Sequence, residues 1–245
     1  MMPAGPGEIL AWDSRFFKMT IGRVKRREID QVAFRTIRSW ASQNAIDCLY
    51  FLSRKKQLPF AAQQRGYFFY YLGNRVVLEK NPGAIPVLIR PPEDFTLRPV
   101  QISDVDFLVK ISRKAFRETR FYKDPHFPEE KCHQLYGTWI KNSCRGMADR
   151  VFVACGPKLP VGFITCHLLG PGEGQIGLLA VSEPHRGRGI AEALLSESFD
   201  YFKNNGVNRL KVVTQADNRS GLNLYLKMGF KKKTVAYWYH IWRNQ

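Results

Sequence analysis

Leu179-Ala-Val-Ser-Glu-Pro-His-Arg-Gly-Arg-Gly-Ile-Ala191 decides how this chain is read. The apolar run Gly174-Gln-Ile-Gly-Leu-Leu-Ala-Val181 predicts a strand ending near Val181. A short basic loop follows, and Glu192 to Asn205 has the spacing of a helix ended by Gly206. A strand, a glycine-bearing loop and a helix together make a cradle for phosphate. Gly187 and Gly189 let the backbone come close to a ligand. The first N–H groups of the helix have no partner within it, and the helix dipole favours negative charge there. Arg186 and Arg188 add positive charge, so a pyrophosphate fits. Neither common nucleotide loop is present. The third glycine of a dinucleotide fingerprint is missing, and no Gly-Lys-Ser or Gly-Lys-Thr occurs.

Outward from the loop, helices and strands alternate. Downstream, Asn208 to Thr214 reads as a strand, Ser220 to Met228 as a helix, and Lys233 to Trp242 as a final strand. Upstream, Arg150 to Cys155 and Pro160 to Leu169 read as a hairpin turning at Gly156-Pro157. Helices are predicted over Val105–Phe116 and Glu129–Asn142, the second with Leu135, Trp139 and Ile140 on one face. The proline clusters Asn81-Pro-Gly-Ala-Ile-Pro and Arg90-Pro-Pro stop regular structure. A boundary is placed near residue 93. Ahead of it come a helix over Gln31–Asn44, a strand from Cys48, a short helix over residues 58–66 and a strand from Tyr67. A short strand, Pro86–Arg90, lies between the proline clusters. This pattern predicts a small α/β domain over 1–93, followed by an α/β domain over 94–245.

The chain has 245 residues, 44% of them apolar and 24% charged, ordinary values for a globular protein. No apolar run approaches the roughly 20 residues that span a bilayer, and the N-terminus lacks the pattern of a signal peptide. A cytoplasmic protein with no membrane partner is the expectation. Five cysteines, with no Cys-x-x-Cys, argue against a disulfide framework or a zinc site. His126 and His133 stand seven apart without further ligands, so no metal is expected. The formal net charge is +17, spread over both halves. Such a surface suits nucleic acid or small polyanions. With no arginine-rich tail, zinc finger or base-stacking signature, small anions are favoured and nucleic acid is not.

Arg186-Gly-Arg-Gly-Ile-Ala191 resembles the coenzyme A signature (Arg or Gln)-x-x-Gly-x-(Gly or Ala) of the GCN5-related N-acetyltransferases, the GNAT superfamily. Leu179-Ala-Val181 precedes it at the spacing usual in that family. Asn218, Tyr225 and Gly229-Phe230 resemble the family's closing motif. The resemblance covers about residues 94–245. It implies a mixed, mostly antiparallel central sheet flanked by helices, with acetyl-CoA as co-substrate. A narrower resemblance, to TDP-fucosamine acetyltransferases, rests on Trp12-Asp-Ser-Arg-Phe-Phe17, Thr119-Arg-Phe121, Tyr136-x-x-Trp139-Ile-x-Asn142-x-x-Arg-Gly146, Thr214-Gln215 and Ala236-Tyr-Trp-Tyr239. It implies a nucleotide-linked amino-deoxy sugar as acceptor.

The family resemblance implies direct attack of a neutral amine on the thioester in a ternary complex. The Leu179 backbone N–H is then the expected oxyanion donor, and Val181 holds the pantetheine arm. Residues Arg186, Gly187, Arg188, Gly189, Ile190 and Ala191 bind the pyrophosphate, and Asn218 touches the pantetheine region. Tyr225 is the expected acid for the leaving thiolate. Arg120, Phe121, Trp139 and Asn142 are expected on the acceptor, where an arginine fork suits a diphosphate. Glu118, His167 and Glu173 are the candidate bases, with water as the alternative. A peptide or ribosomal-protein acetyltransferase and a non-catalytic acetyl-CoA or nucleic-acid binding module remain as competing readings. A homodimer through a sheet edge or the last strand is also open.

Overall fold

The computed structural model describes residues 5–58, 64, 66–84 and 89–244. Its strands are β1 (Gly7–Ile9), β2 (Ile21–Val24), β3 (Cys48–Ser53), β4 (Tyr67–Lys80), β5 (Thr96–Pro99), β6 (Arg150–Cys155), β7 (Pro160–Gly170), β8 (Glu173–Val181), β9 (Arg209–Gln215) and β10 (Lys231–Arg243). They pair in one sheet, in the order β1-β2-β3-β10-β4-β9-β8-β7-β6-β5. Among the described residues, only β2–β3 and β8–β9 are parallel. The mostly antiparallel sheet flanked by helices agrees with the fold expected from the sequence.

Among the described residues, seven α-helices cover the sheet: α1 (Ala11–Phe17), α2 (Gln31–Gln43), α3 (Val105–Ala115), α4 (Arg120–Lys123), α5 (Glu129–Asn142), α6 (Ile190–Asn204) and α7 (Arg219–Lys227). Side-chain alternation sorts them to two faces. Val76, Leu78, Leu210 and Val212 pack with Leu194, Phe199 and Leu222 of α6 and α7. Phe51, Tyr239 and Ile241 pack on the same face against Phe34 and Ile37 of α2. On the opposite face, Val151, Val153 and Phe163 meet Leu108 and Ile140 of α3 and α5. Tyr50 and Trp242 meet Phe17 of α1, Phe121 of α4 and Leu135 of α5 there. Local chemistry fixes the ends of these helices. Asp30 accepts the Ala33 N–H at 2.7 Å and caps α2.

The boundary expected near residue 93 does not divide this sheet. β10, from the end of the chain, lies between β3 and β4, with Trp238 opposite Leu52 on one side and Val235 opposite Val76 on the other. β4 pairs in turn with β9. The 14-residue β4 is flanked on both edges by strands from the C-terminal half, β10 along Tyr67–Glu79 and β9 along Arg75–Lys80. β10 pairs with β4 along nearly all of its length and with β3 over Tyr237–Trp242, which leaves the β3 side of Lys231–Ala236 without a strand partner among the described residues. The helix expected over 58–66 and the strand over 86–90 fall mostly outside the described residues. Among the described residues, no helix is long and apolar enough to cross a membrane.

Candidate functional site

Parallel strands β8 and β9, joined through α6, stay in register from Glu173 opposite Arg209 to Ile176 opposite Val212. Beyond that point they part. Gly177–Val181 keep β7 as neighbour, with a bulge between Ile164 and Cys166, while β9 continues along β4 to Gln215 opposite Arg75. The Leu178 N–H donates to Thr165 Oγ1 at 2.8 Å and the Ser182 N–H to the Val161 carbonyl at 2.7 Å, both on the β7 side. Backbone alternation therefore turns the amides of Leu179 and Val181 into the notch between the parted strands. Arg186 enters the same notch, its Nε donating to the Val181 carbonyl at 3.1 Å.

A cleft of about 720 Å³ opens around the notch. Its floor is Gly177–Val181 with Val213 and Gln215, and one wall is the start of α6. Gly187 and Gly189 have φ of 74° and 77°, where a side chain is strained, and nothing lies within 4 Å of where a Cβ would sit. No side chain caps α6, so the first-turn N–H groups of this 15-residue helix face the loop. An open glycine cradle at an uncapped helix start, beside amides without a strand partner, fits the pyrophosphate and amide-bearing arm of coenzyme A.

Leu179, Val181, Arg186, Gly187, Gly189, Ile190, Ala191, Asn218 and Tyr225 all line the cleft, and so does Trp139. Arg188 is exposed and lies outside the lining. The Asn218 side chain is engaged in capping α7: Oδ1 accepts the Gly221 N–H at 3.0 Å, and Nδ2 donates to Thr214 Oγ1 at 3.0 Å. Tyr225 is buried, its hydroxyl bonds to no described residue, and burial pushes its pKa up.

Three residues expected at the acceptor lie elsewhere. Phe121 is 1% exposed and packs among Phe17, Tyr50 and Phe127. Asn142, at the end of α5, is not part of the lining. The Arg120 guanidinium lies 4.0, 4.2 and 4.4 Å from the ring centres of Tyr50, Phe121 and Trp238, and donates to Nε2 of His240. Such an arginine is already committed on both faces and at its edge. Of the candidate bases, only Glu118 lines the cleft. Glu173 pairs with Arg209 and Lys211 at the far end of β8, and His167 lies beside Thr165. His126 bonds Asp124, whereas His133 sits beside Glu129 and Glu130.

The cleft also holds Arg75, Lys114 and Arg117, which sequence reasoning did not single out, and Tyr136, Gln215 and Trp238, which stood there only within the motifs of the narrower resemblance. A charged residue between the apolar runs Tyr67–Leu72 and Val76–Leu78 was the available signal for Arg75.

Residues 113–230 match the acetyltransferase (GNAT) family. The chain is 26% identical over 173 residues to the spore coat polysaccharide biosynthesis protein SpsD of Bacillus subtilis, spanning 71% of this chain and 58% of that protein. It is 28% identical to a dTDP-fucosamine acetyltransferase of Escherichia coli, over 56% of this chain and 59% of that one. The match to N-alpha-acetyltransferase 30 of Saccharomyces cerevisiae is 33% identical but covers 35% of this chain and 51% of the relative. The chain thus spans about three-fifths of the length of its first two relatives. A solved GCN5-related N-acetyltransferase from Sphaerobacter thermophilus shares the fold, with a TM-score of 0.64 at 19% identity over 96% of this chain and 75% of that one. Over residues 113–230, just under half of its length, this chain is therefore similar to the acetyltransferase (GNAT) family.

Proposed function

We propose that the protein transfers an acetyl group from acetyl-CoA to the amine of a nucleotide-linked amino-deoxy sugar. The observation that carries the transferase reading is the notch where β8 and β9 part beside the uncapped start of α6. Acetyl-CoA, when bound, supplies the acetyl group as an activated thioester. The chain's own groups hold and orient it. Gly187, Gly189, Ile190 and Ala191 offer backbone N–H groups to a pyrophosphate, and the Val181 amide serves the pantetheine arm. The Leu179 N–H, fixed by the sheet, meets a carbonyl oxygen as negative charge grows on it. Tyr225, kept protonated by burial, holds a proton for a departing sulfur.

The attacking amine must be neutral. Glu118 is the lining carboxylate with no ion-pair or hydrogen-bond partner among the described residues, since Glu192 pairs with Lys227 at 3.0 Å. It is the group placed to take the amine's proton.

The sugar acceptor is supported by the likeness to SpsD and to the dTDP-fucosamine acetyltransferase. The likeness to N-alpha-acetyltransferases supports a peptide amine as the competing acceptor. Thiol release from acetyl-CoA, followed with a dTDP-linked 4-amino-4,6-dideoxy sugar beside a basic peptide, separates the two. Turnover with the sugar alone is expected. Turnover with the peptide alone contradicts the sugar reading and leaves the coenzyme A site intact.

A further inference from the structure

Arg75 stands in the middle of β4, paired in register with Gln215 of β9 and Ala236 of β10. Its neighbour Val76 points into the core beneath α6 and α7, so Arg75 and Gln215 point to the opposite face, away from the α6 cradle. Both line the cleft there, beside Trp139 and Trp238. Arg75 is only partly exposed, yet it has no hydrogen bond or ion pair with any described residue. Burial lowers its pKa, and the nearby charge of Arg27 lowers it further, with no carboxylate to offset either. The side-chain carbonyl of Gln215 is likewise buried without a partner. A guanidinium withdrawn from water without an anion is costly, and so is an orphaned carbonyl. Both costs disappear when a ligand brings an anion and a hydroxyl or N–H donor to this face.

We infer that Arg75 and Gln215 form the acceptor's polar subsite, with Arg75 taking a phosphate or diphosphate and Gln215 accepting a hydrogen bond from the same molecule. The inference rests on the acetyl-transfer reading of the cleft and deepens it. It also replaces Arg120 as the diphosphate residue, because three rings and His240 already occupy that guanidinium. Geometry suits a glycosyl phosphate. β4 is two strands from β8, so Arg75 lies farther from the Leu179 notch than the roughly 10 Å of ordinary strand spacing, because β8 and β9 have parted at this level. An amine at the Leu179 notch and an anion at Arg75 are then more than one sugar ring apart, a span that a sugar ring with its diphosphate covers. Lys114 and Arg117, from the end of α3 and the loop after it, add positive charge to the same cleft.

The test is calorimetric titration of dTDP into protein saturated with coenzyme A, which fills the α6 cradle first. The wild-type protein is expected to bind dTDP. Arg75→Gln should weaken that binding by on the order of tenfold or more, with Arg75→Lys between the two, since lysine keeps the charge but not the fork. Coenzyme A affinity should be unchanged in both variants, which also reports that they fold. Failure of dTDP to bind, or binding that Arg75→Gln leaves intact, overturns the inference. Arg75-dependent dTDP binding in a protein that acetylates no sugar would keep the anion subsite and reject the sugar-acetylation reading.

Discussion

Asp124 Oδ2 and His240 Nδ1 meet at 2.6 Å with neither side chain exposed to solvent. The same carboxylate accepts from Trp242 Nε1 at 2.8 Å and from the backbone and ring of His126 at 3.0 and 2.8 Å. Arg120 donates to the other nitrogen of His240. Nε2 is thus an acceptor, and Nδ1 carries the proton given to Asp124. This chain of bonds ties the segment after α4 to the central strand β10, directly behind Trp238 and the cleft.

Removing the carboxylate should therefore unfold more than a loop. Asp124→Ala leaves the buried N–H donors of His240 and Trp242 without their acceptor and is expected to cost about 3 kcal/mol or more. Chemical denaturation measures it as a lower midpoint at unchanged slope. A loss below about 1 kcal/mol would show the network to be dispensable.

The same pair makes the fold acid-sensitive. Burial lowers the pKa of His240 below its ordinary 6.5, outweighing the opposing pull of Asp124. Burial alone would raise the pKa of Asp124, but bonds from His240, His126 and Trp242 outweigh that and lower it. Both folded values are depressed, so the unfolded chain binds more protons and stability falls with pH. The loss should begin below about 6.5 as unfolded histidine takes up protons, and steepen below about 4 as the unfolded carboxylate does. Thermal midpoints across that range check it, and His240→Phe should flatten the upper part of the decline.

Gly189→Val tests the cradle. A β-branched residue at φ 77° is strained, and its side chain would enter the open space at the start of α6. Acetyl-CoA affinity is expected to fall on the order of tenfold or more, about 1.4 kcal/mol per factor of ten, with dTDP binding retained. Equal affinity in wild type and variant would place coenzyme A elsewhere.

Much of this was legible in the sequence. The glycine loop was readable because a strand, positive-φ glycines and a helix start are local features with local causes. α5 was expected over Glu129–Asn142 and spans those residues. The insertion of β10 between β3 and β4 was not legible, because strand order is a long-range pairing that no window of residues records. Arg120 and Phe121 were assigned to the acceptor by resemblance. The four-residue α4 instead turns both into the aromatic cluster, a choice made by Tyr50 and Trp238 far away in sequence. Asn218 shows how one motif can serve structure, since its amide closes the first turn of α7.

Tyr225→Phe and Glu118→Gln separate the two proton-handling roles. Tyr225→Phe should lower kcat on the order of a hundredfold with little change in the KM for acetyl-CoA, because the ring still packs on Phe230 at 5.6 Å. Glu118→Gln should lower the rate at neutral pH by a similar order and recover as pH rises, when more of the amine is already neutral. Unchanged turnover in either variant removes that residue from the reaction.

The proposed reaction rests on the Leu179 and Val181 amides, which face the notch proposed to hold the acetyl-bearing arm of acetyl-CoA. The most direct measurement is the response of backbone amide resonances to titrated acetyl-CoA. Leu179, Val181, Gly187 and Gly189 are expected to shift strongly, and β1 and β2 at the sheet edge to stay still. Saturable binding that leaves Leu179 and Val181 unmoved would contradict the account.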